Sequence, residues 1–483
     1  MTARVMPVQR ARAYVQAARG DSLVRNSLFL MSSTVATAGL GYVFWVVAAR
    51  AFSTAQVGLA SAVISLCSTV ALFAYPGPAA MLVERLHAYE RSRAWTAFLA
   101  RTCAATAGVT AIAATVVVLM FAHSVSYGSF FSAAGAAVLA VAGAAAWSVL
   151  NICCTAFIAA RRSDGLFAVQ GLVSLLKVLF VVPLCAVGLG AQGIVVAWVA
   201  SSVTGVAICG FWLLPRLGLG AAPPSAEPAA SGAPAAPAGP GGTGSATRRD
   251  GARDERAPRR QGQGSDYLRH LVGQHLTGTG GQVTPLLLPV LVVLRLGAGP
   301  NAYFYITWMI GSVFFMVSPS ISVALFAESV RSGSELRCTV VKAFRVASFL
   351  LLPIMLTMVA SGKLVLGIFG HAYIGAGYEL LVLLAISAVP DAVSNVAVAV
   401  CRATSRLGYS AAINLGILVV TAVGAWCLMP RFGVAGAGLG WLGAQVLGAL
   451  ASIPVLLGLD GRTKACKPDS RPAEGDGRCA SWN

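Results

Sequence analysis

Twelve apolar stretches of twenty residues or more recur along the chain, separated by polar breaks, and they leave few folds open. They fall near 27–49, 57–80, 98–122, 133–157, 166–189, 191–214, 271–294, 301–326, 344–369, 380–401, 410–429 and 433–458. A helix rises ~1.5 Å per residue, so about twenty apolar residues cross the ~30 Å hydrocarbon layer of a bilayer. Of the 483 residues, 57% are hydrophobic and only 11% are charged, against roughly 25% charged in soluble domains. A water-soluble core of that size is excluded, and the expected class is an all-α polytopic membrane protein. The stretch 133–157, rich in Ala and Gly, carries the weakest signal of the twelve. The first 26 residues are basic and too polar for a secretory h-region, so the first span is read as an uncleaved anchor.

The net charge of +18 raises the question of a nucleic-acid partner. Its distribution answers it. With the N-terminus placed in the cytoplasm, thirty of the 35 Lys and Arg residues fall in the tails and loops on the cytoplasmic side. Arg50, Arg295, Lys363 and Arg431 fall on the other side, and Lys177 falls inside a span. Such a bias is the positive-inside rule at work. It predicts a multi-pass protein of the plasma (cytoplasmic) membrane with both termini cytoplasmic, embedded in lipid and without a nucleic-acid partner. One missed span would reverse the sign of every later loop, so the bias also supports twelve. The cysteines lie mostly within spans and show neither a disulfide framework nor metal-ligand spacing.

Residues 215–265 have no aromatic side chain and are dense in Pro, Ala, Gly and charge. Such a segment cannot bury a core and reads as a disordered cytoplasmic linker. The chain then divides into a basic N-tail (1–26), a six-helix lobe (27–214), the linker, a second six-helix lobe (266–459) and a C-tail (460–483). Landmarks recur across the linker at a near-constant offset: Arg25 with Arg269, Arg50 with Arg295, Glu84 with Glu328, Asn151 with Asn395, and Trp198 with Trp441 are 243 to 245 positions apart. We read this as an internal duplication. Six spans per copy return the second copy in the same direction, which predicts two lobes related by a pseudo-twofold axis along the membrane normal. Proteins built this way carry substrate between the repeats by alternating access. No G-x-x-x-x-G-K-[ST] motif, catalytic triad or metal cluster is visible, so neither a cofactor nor bond chemistry is expected.

Three segments carry a family resemblance: "RNSLFLMSSTVATAGLGYVFWVVAARAFSTAQVGLASAV", "GAGPNAYFYITWM", and the Gly-rich openings "GLGAQGIVVAWV" and "FGVAGAGLGWLG". With these the chain resembles the polysaccharide flippase branch of the multidrug/oligosaccharidyl-lipid/polysaccharide exporter superfamily. The resemblance implies a flippase that moves a polyprenyl-pyrophosphate-linked oligosaccharide or related glycolipid from inner to outer leaflet. It also implies a role in cell-surface polysaccharide synthesis, with a glycan polymerase or glycosyltransferases as partners. The alternatives are a cation-coupled multidrug antiporter of the same superfamily and a lipid II flippase. Lipid II flippases typically carry Arg-Asp where this chain has Phe44-Trp45, and the antiporters usually carry acidic residues in their N-terminal spans, which are lacking here.

Charges at membrane depth are the candidate functional residues, because each costs about 2.5–3.5 kcal/mol to insert. Lys177, eleven residues into the fifth span, is read as a cation for the pyrophosphate, against snorkelling or pairing inside its own bundle. Asp391, eleven residues into the tenth, is a candidate for ion coupling or for pairing with Lys177, against a local role at Pro390. Gln274, Thr277 and Gln282, in the polar, Gly- and Pro-broken seventh span, suit a cavity wall. Arg25 and Arg269 at the inner ends are candidates to recruit the headgroup, and Arg50 and Arg295 at the outer ends to receive it. Glu84 and Glu328 are candidates for an inner gate.

Overall fold

A computed structural model of the protein describes residues 22–85, 93–132, 134–160, 162–210, 263–332, 336–404 and 406–457. It gives helix assignments but no side-chain description at 22–31, 83–85, 93–94, 134, 263–279, 322–332, 336 and 403. The N-terminal lobe contains α1 (Ser22–Ala51), α2 (Thr54–Ala74), α3 (Pro76–Arg85), α4 (Arg93–Ala122), α5 (Gly128–Phe131), α6 (Ala134–Ala159), α7 (Ser163–Ala186) and α8 (Ala191–Ile208). The C-terminal lobe contains α9 (Gln263–Leu296), α10 (Ala298–Ser332), α11 (Leu336–Phe369), α12 (Ala372–Ala403) and α13 (Leu407–Leu457). Among the described residues ten helices are long and apolar enough to cross a membrane. One of them, α13, breaks at Gly433 and contains the eleventh and twelfth spans. The apolar part of the seventh span, Gly280–Leu296, is shorter. The protein is therefore an all-α multi-pass membrane protein of two six-span lobes.

The lobes repeat one packing plan. The first span lies on the fifth as the seventh lies on the eleventh (α1 on α7, α9 on α13), and α2 packs on α6 as α10 packs on α12. The backbone repeats as well. Gly190 enters the sixth span at φ 57°, ψ −138°, and Gly433 enters the twelfth at φ 56°, ψ −136°. A side chain is strained in that region whatever the space around it. A Cβ on Gly433 would meet nothing within 4 Å. Gly433→Ala should therefore cost about 1–3 kcal/mol from backbone strain alone, measured as a lower thermal midpoint in detergent.

Local chemistry explains one departure from an even repeat. The second span, expected unbroken over 57–80, divides at Pro76. The Tyr75 amide closes the last turn of α2 on the Ala71 carbonyl at 3.1 Å, and the proline that follows has no N–H to continue the ladder. The N-terminus of α2 is fixed by a capping box, in which Ser53 and Gln56 each accept the other's backbone N–H. Cys338 is disulfide-bonded, where the sequence shows no disulfide framework. Helix α9 begins at Gln263, just inside the stretch read as linker; the rest of that stretch and both tails lie outside the described residues.

Between the lobes, α2 packs against α10 and α9, and α11 touches α1. The lobes approach closely at Gly58, where a Cβ would lie 1.7 Å from the Ala298 carbonyl oxygen. Asn301, fully buried, donates from Nδ2 to the Gly58 carbonyl at 2.7 Å and to Ser61 Oγ at 3.1 Å. Trp45 of α1 meets Tyr305 of α10 with ring centroids 4.7 Å apart.

Candidate functional site

Among the described residues a cavity lies in each half, and the two occupy equivalent places in the repeat. The N-terminal cavity, about 340 Å³, lies among α1, α6 and α7. Thr34, Thr37, Asn151, Gln170, Ser174 and Lys177 supply its polar wall, and Met316 of α10 reaches in from the other lobe. The Lys177 ammonium sits 5.3 Å from the centroid of the Trp147 ring. Helix α7 is otherwise largely apolar around it, and the head of Lys177 is turned to the cavity and the indole face. An ion pair joins Arg162 and Asp164 at the start of α7, and among the described residues Lys177 has no carboxylate partner.

The C-terminal cavity, about 390 Å³, lies among α9, α10, α12 and α13. Its polar wall includes Gln282, Thr284, Asp391, Asn395, Asn414 and Gln445. Asp391 is 7% exposed and accepts at Oδ2 from Asn395 Nδ2 at 3.0 Å. Gln445 is 2% exposed, and its Oε1 has no hydrogen-bond partner. Part of the wall is aromatic: Trp308 and Phe315 both meet Trp441 edge-on, at 5.0 and 5.3 Å between centroids. The Trp441 indole N–H donates to Ser387 Oγ at 3.0 Å, which fixes the ring.

The cavities share a frame and differ in charge. Asn151 donates to the Trp147 carbonyl at 2.8 Å, and Asn395 donates to the Asp391 carbonyl at 3.0 Å. Trp147 thus stands where Asp391 stands in the other copy, 244 positions on. Lys177 likewise corresponds to Thr421, which is fully buried with an unpartnered Oγ1. Lys177 and Asp391 face separate cavities, so the structure does not bring together the pair that sequence reasoning offered across the halves. Asp391 is instead held by its neighbour on the same helix.

Of the other sequence candidates, Gln282 lines the C-terminal cavity as a wall residue should. Arg50 and Arg295 line neither cavity. Arg50 donates to the carbonyls of Ile368 and Gly367 at 2.9 and 3.2 Å, and the Arg295 guanidinium lies 4.9 Å from the centroid of the Trp426 ring. The side chains of Arg25, Arg269, Gln274, Thr277, Glu84 and Glu328 lie outside the described residues. Sequence reasoning missed Trp147, Gln170, Trp308, Asn414 and Gln445 as wall residues. A signal was present for part of the site, since Asn151/Asn395 and Trp198/Trp441 are themselves recurring landmarks, unusual as polar or indole side chains in apolar spans.

No family model matches the chain, and no curated protein matches its sequence. Solved structures do match. The lipid II flippase MurJ in an inward closed conformation is 11% identical, with a TM-score of 0.59 and 89% of each chain covered. A MATE in complex with MaL6 is 14% identical, with a TM-score of 0.54, covering 92% of this chain and 98% of that one. An inward-facing multidrug resistance MATE family transporter of the MOP superfamily is 14% identical, with a TM-score of 0.51, covering 90% and 93%. The chain therefore has the fold shared by the MATE and MurJ branches of that superfamily.

Proposed function

We propose that the protein is a secondary transporter that passes an amphipathic, membrane-embedded substrate across the bilayer by alternating access of its two lobes. Its substrate is a polyprenyl-pyrophosphate-linked oligosaccharide or related glycolipid, moved from the inner to the outer leaflet for cell-surface polysaccharide synthesis. The observation that carries this reading is Lys177, a cation without a carboxylate partner among the described residues, turned to a cavity whose other polar groups are hydroxyls and amides. A pyrophosphate needs a cation to leave the headgroup layer, and a glycan needs neutral donors and acceptors. In this scheme Arg25 and Arg269 recruit the headgroup at the inner ends, Arg50 and Arg295 meet it at the outer ends, and Glu84 and Glu328 close the inner side. The linker and both tails lie on the cytoplasmic side of the plasma membrane, and a glycan polymerase or glycosyltransferases are the partners. No bond is made or broken. Phe44 and Trp45, which stand where lipid II flippases carry Arg-Asp, are 2% and 6% exposed, which weighs against lipid II as substrate. The test is leaflet exchange of a polyprenyl-pyrophosphate sugar in reconstituted vesicles. Exchange above that of protein-free vesicles supports the reading; none, with folded protein and several glycolipids tried, removes it.

A second reading, a cation-coupled multidrug antiporter, is favoured by the C-terminal cavity. A carboxylate that lines one cavity with Trp308, Phe315 and Trp441 suits a cation, inorganic or organic. Under the flippase reading Asp391 takes the coupling ion. Asp391→Asn should then abolish the increment in exchange produced by an imposed Na⁺ or proton gradient and leave gradient-free exchange within about twofold, since that exchange does not need the ion to be taken up. A variant that keeps its full response to the gradient places coupling elsewhere. Saturable, Asp391-dependent uptake of an organic cation without glycolipid exchange selects the antiporter.

A further inference from the structure

The repeat mates Arg50 and Arg295 end the first and seventh spans, at the side that the charge distribution places outside, yet they do different things. Arg50 reaches across to the other lobe. Its Nε and one terminal nitrogen donate to the carbonyls of Ile368 and Gly367, in the last turn of α11. Those carbonyls have no partner further along their own helix and carry the negative end of its dipole. A guanidinium is a fitting cap for them, being a rigid two-pronged donor of permanent charge. Beside it Tyr42 of α1 packs edge-on against Phe369, the residue that ends α11, with centroids 4.9 Å apart; Phe369 is 1% exposed. At the equivalent corner Arg295 stays in its own lobe, over Trp426 of α13. By the repeat offset, its counterpart targets would be residues 123 and 124 at the end of α4. There His123 Nδ1 is 3.2 Å from the Leu119 carbonyl of its own helix.

We propose that Arg50 is a one-sided latch of the outer gate. Its contact with the end of α11 holds the outer ends of the two lobes together, and the protein opens outward only when the guanidinium leaves those carbonyls. Rocking of the lobes separates α1 from α11, and nothing within either lobe replaces the bond. Arg295 takes no part, because its ring partner moves with it. The gate therefore opens at one corner of the pseudo-twofold frame.

Spin labels at Ala51→Cys and Ala372→Cys, two exposed positions flanking the latch, report the gap in a cysteine-depleted background. Distance distributions are measured in reconstituted vesicles without substrate, so the outcome does not depend on what is transported. Arg50→Gln should shift the open-to-closed ratio at least about tenfold toward the longer distance, the scale of a lost charged hydrogen bond. Arg50→Lys, which keeps the charge but not the fork, should fall between, and Arg295→Gln should match the native distribution. If Arg50→Gln does not fold, the lysine variant decides alone. A native distribution in the Arg50 variants overturns the latch, as does an equal shift in Arg295→Gln.

Discussion

Lys177→Ala should reduce leaflet exchange of a polyprenyl-pyrophosphate sugar by about 10- to 100-fold, the worth of one charged hydrogen bond to the headgroup. Lys177→Arg should recover part of it, because the cation is kept while its shape changes. Stability should move the other way. Placing a lysine at mid-membrane costs about 2.5–3.5 kcal/mol, offset here in part by the Trp147 ring. The alanine variant should therefore melt no lower than the native protein. A lysine kept only for packing would give the opposite pair of results, with exchange unchanged and the melting point lowered. The split between transport and stability, measured on one preparation, separates the two roles. Equal exchange in native and Lys177→Ala protein would leave the flippase reading standing but remove Lys177 from the path.

Gly58→Leu should be the most damaging single change to the fold. The Cβ would fall 1.7 Å from the Ala298 oxygen, 2.7 Å from its carbonyl carbon and 2.8 Å from the Ala302 nitrogen. All three are backbone atoms of α10, so no rotamer change relieves the clash. The helices must part, which also breaks the Asn301 bonds to Gly58 and Ser61. Overpacking with some freedom to relax costs about 1–3 kcal/mol, so the loss here should reach at least the top of that range. It should appear as a large fall in the thermal midpoint or loss of monodisperse protein in detergent. Gly108→Ala is the control. It lies in α4 with nothing within 4 Å of the added carbon, and it should be neutral or slightly stabilising. A native midpoint for Gly58→Leu would mean that the two helices do not meet at this point.

The fold was legible because a bilayer imposes a length and a polarity on every span, and because a duplicated chain supplies its own comparison. Gly190 and Gly433 show how far that reached, since the same offset that pairs them in sequence gives them the same dihedral angles. The break at Pro76 was harder to see, because a proline inside an apolar run changes hydrogen bonding without changing hydropathy. In the candidate site, Lys177 and Asp391 stood out as charges at a depth where charge is costly. Their surroundings did not. Trp147 and Met316 line the cavity of Lys177 from two other helices, one in each lobe, a convergence that no local spacing encodes. The partners of Arg50 are backbone oxygens, and every residue type carries those. Opposite charges at similar depth suggested an ion pair between Lys177 and Asp391. The repeat itself argued against it, because each belongs to the interior of its own copy.

The contact at Gly58 has a bearing on how such a chain can be assembled. By the repeat offset, Val57 and Gly58 correspond to Asn301 and Ala302. Two N-terminal lobes placed on the shared axis would set Val57 where Asn301 now donates, leaving the Gly58 carbonyl and the Ser61 hydroxyl without their donor. Two C-terminal lobes would set the methyl of Ala302 where Gly58 now lets the backbone of α10 approach. Neither lobe can meet a copy of itself as closely as it meets the other. A symmetric dimer must place the same residue on both sides of its axis, whereas a fused tandem is free to put a lock on one side and its key on the other. This chain has used that freedom where α2 and α10 meet backbone to backbone.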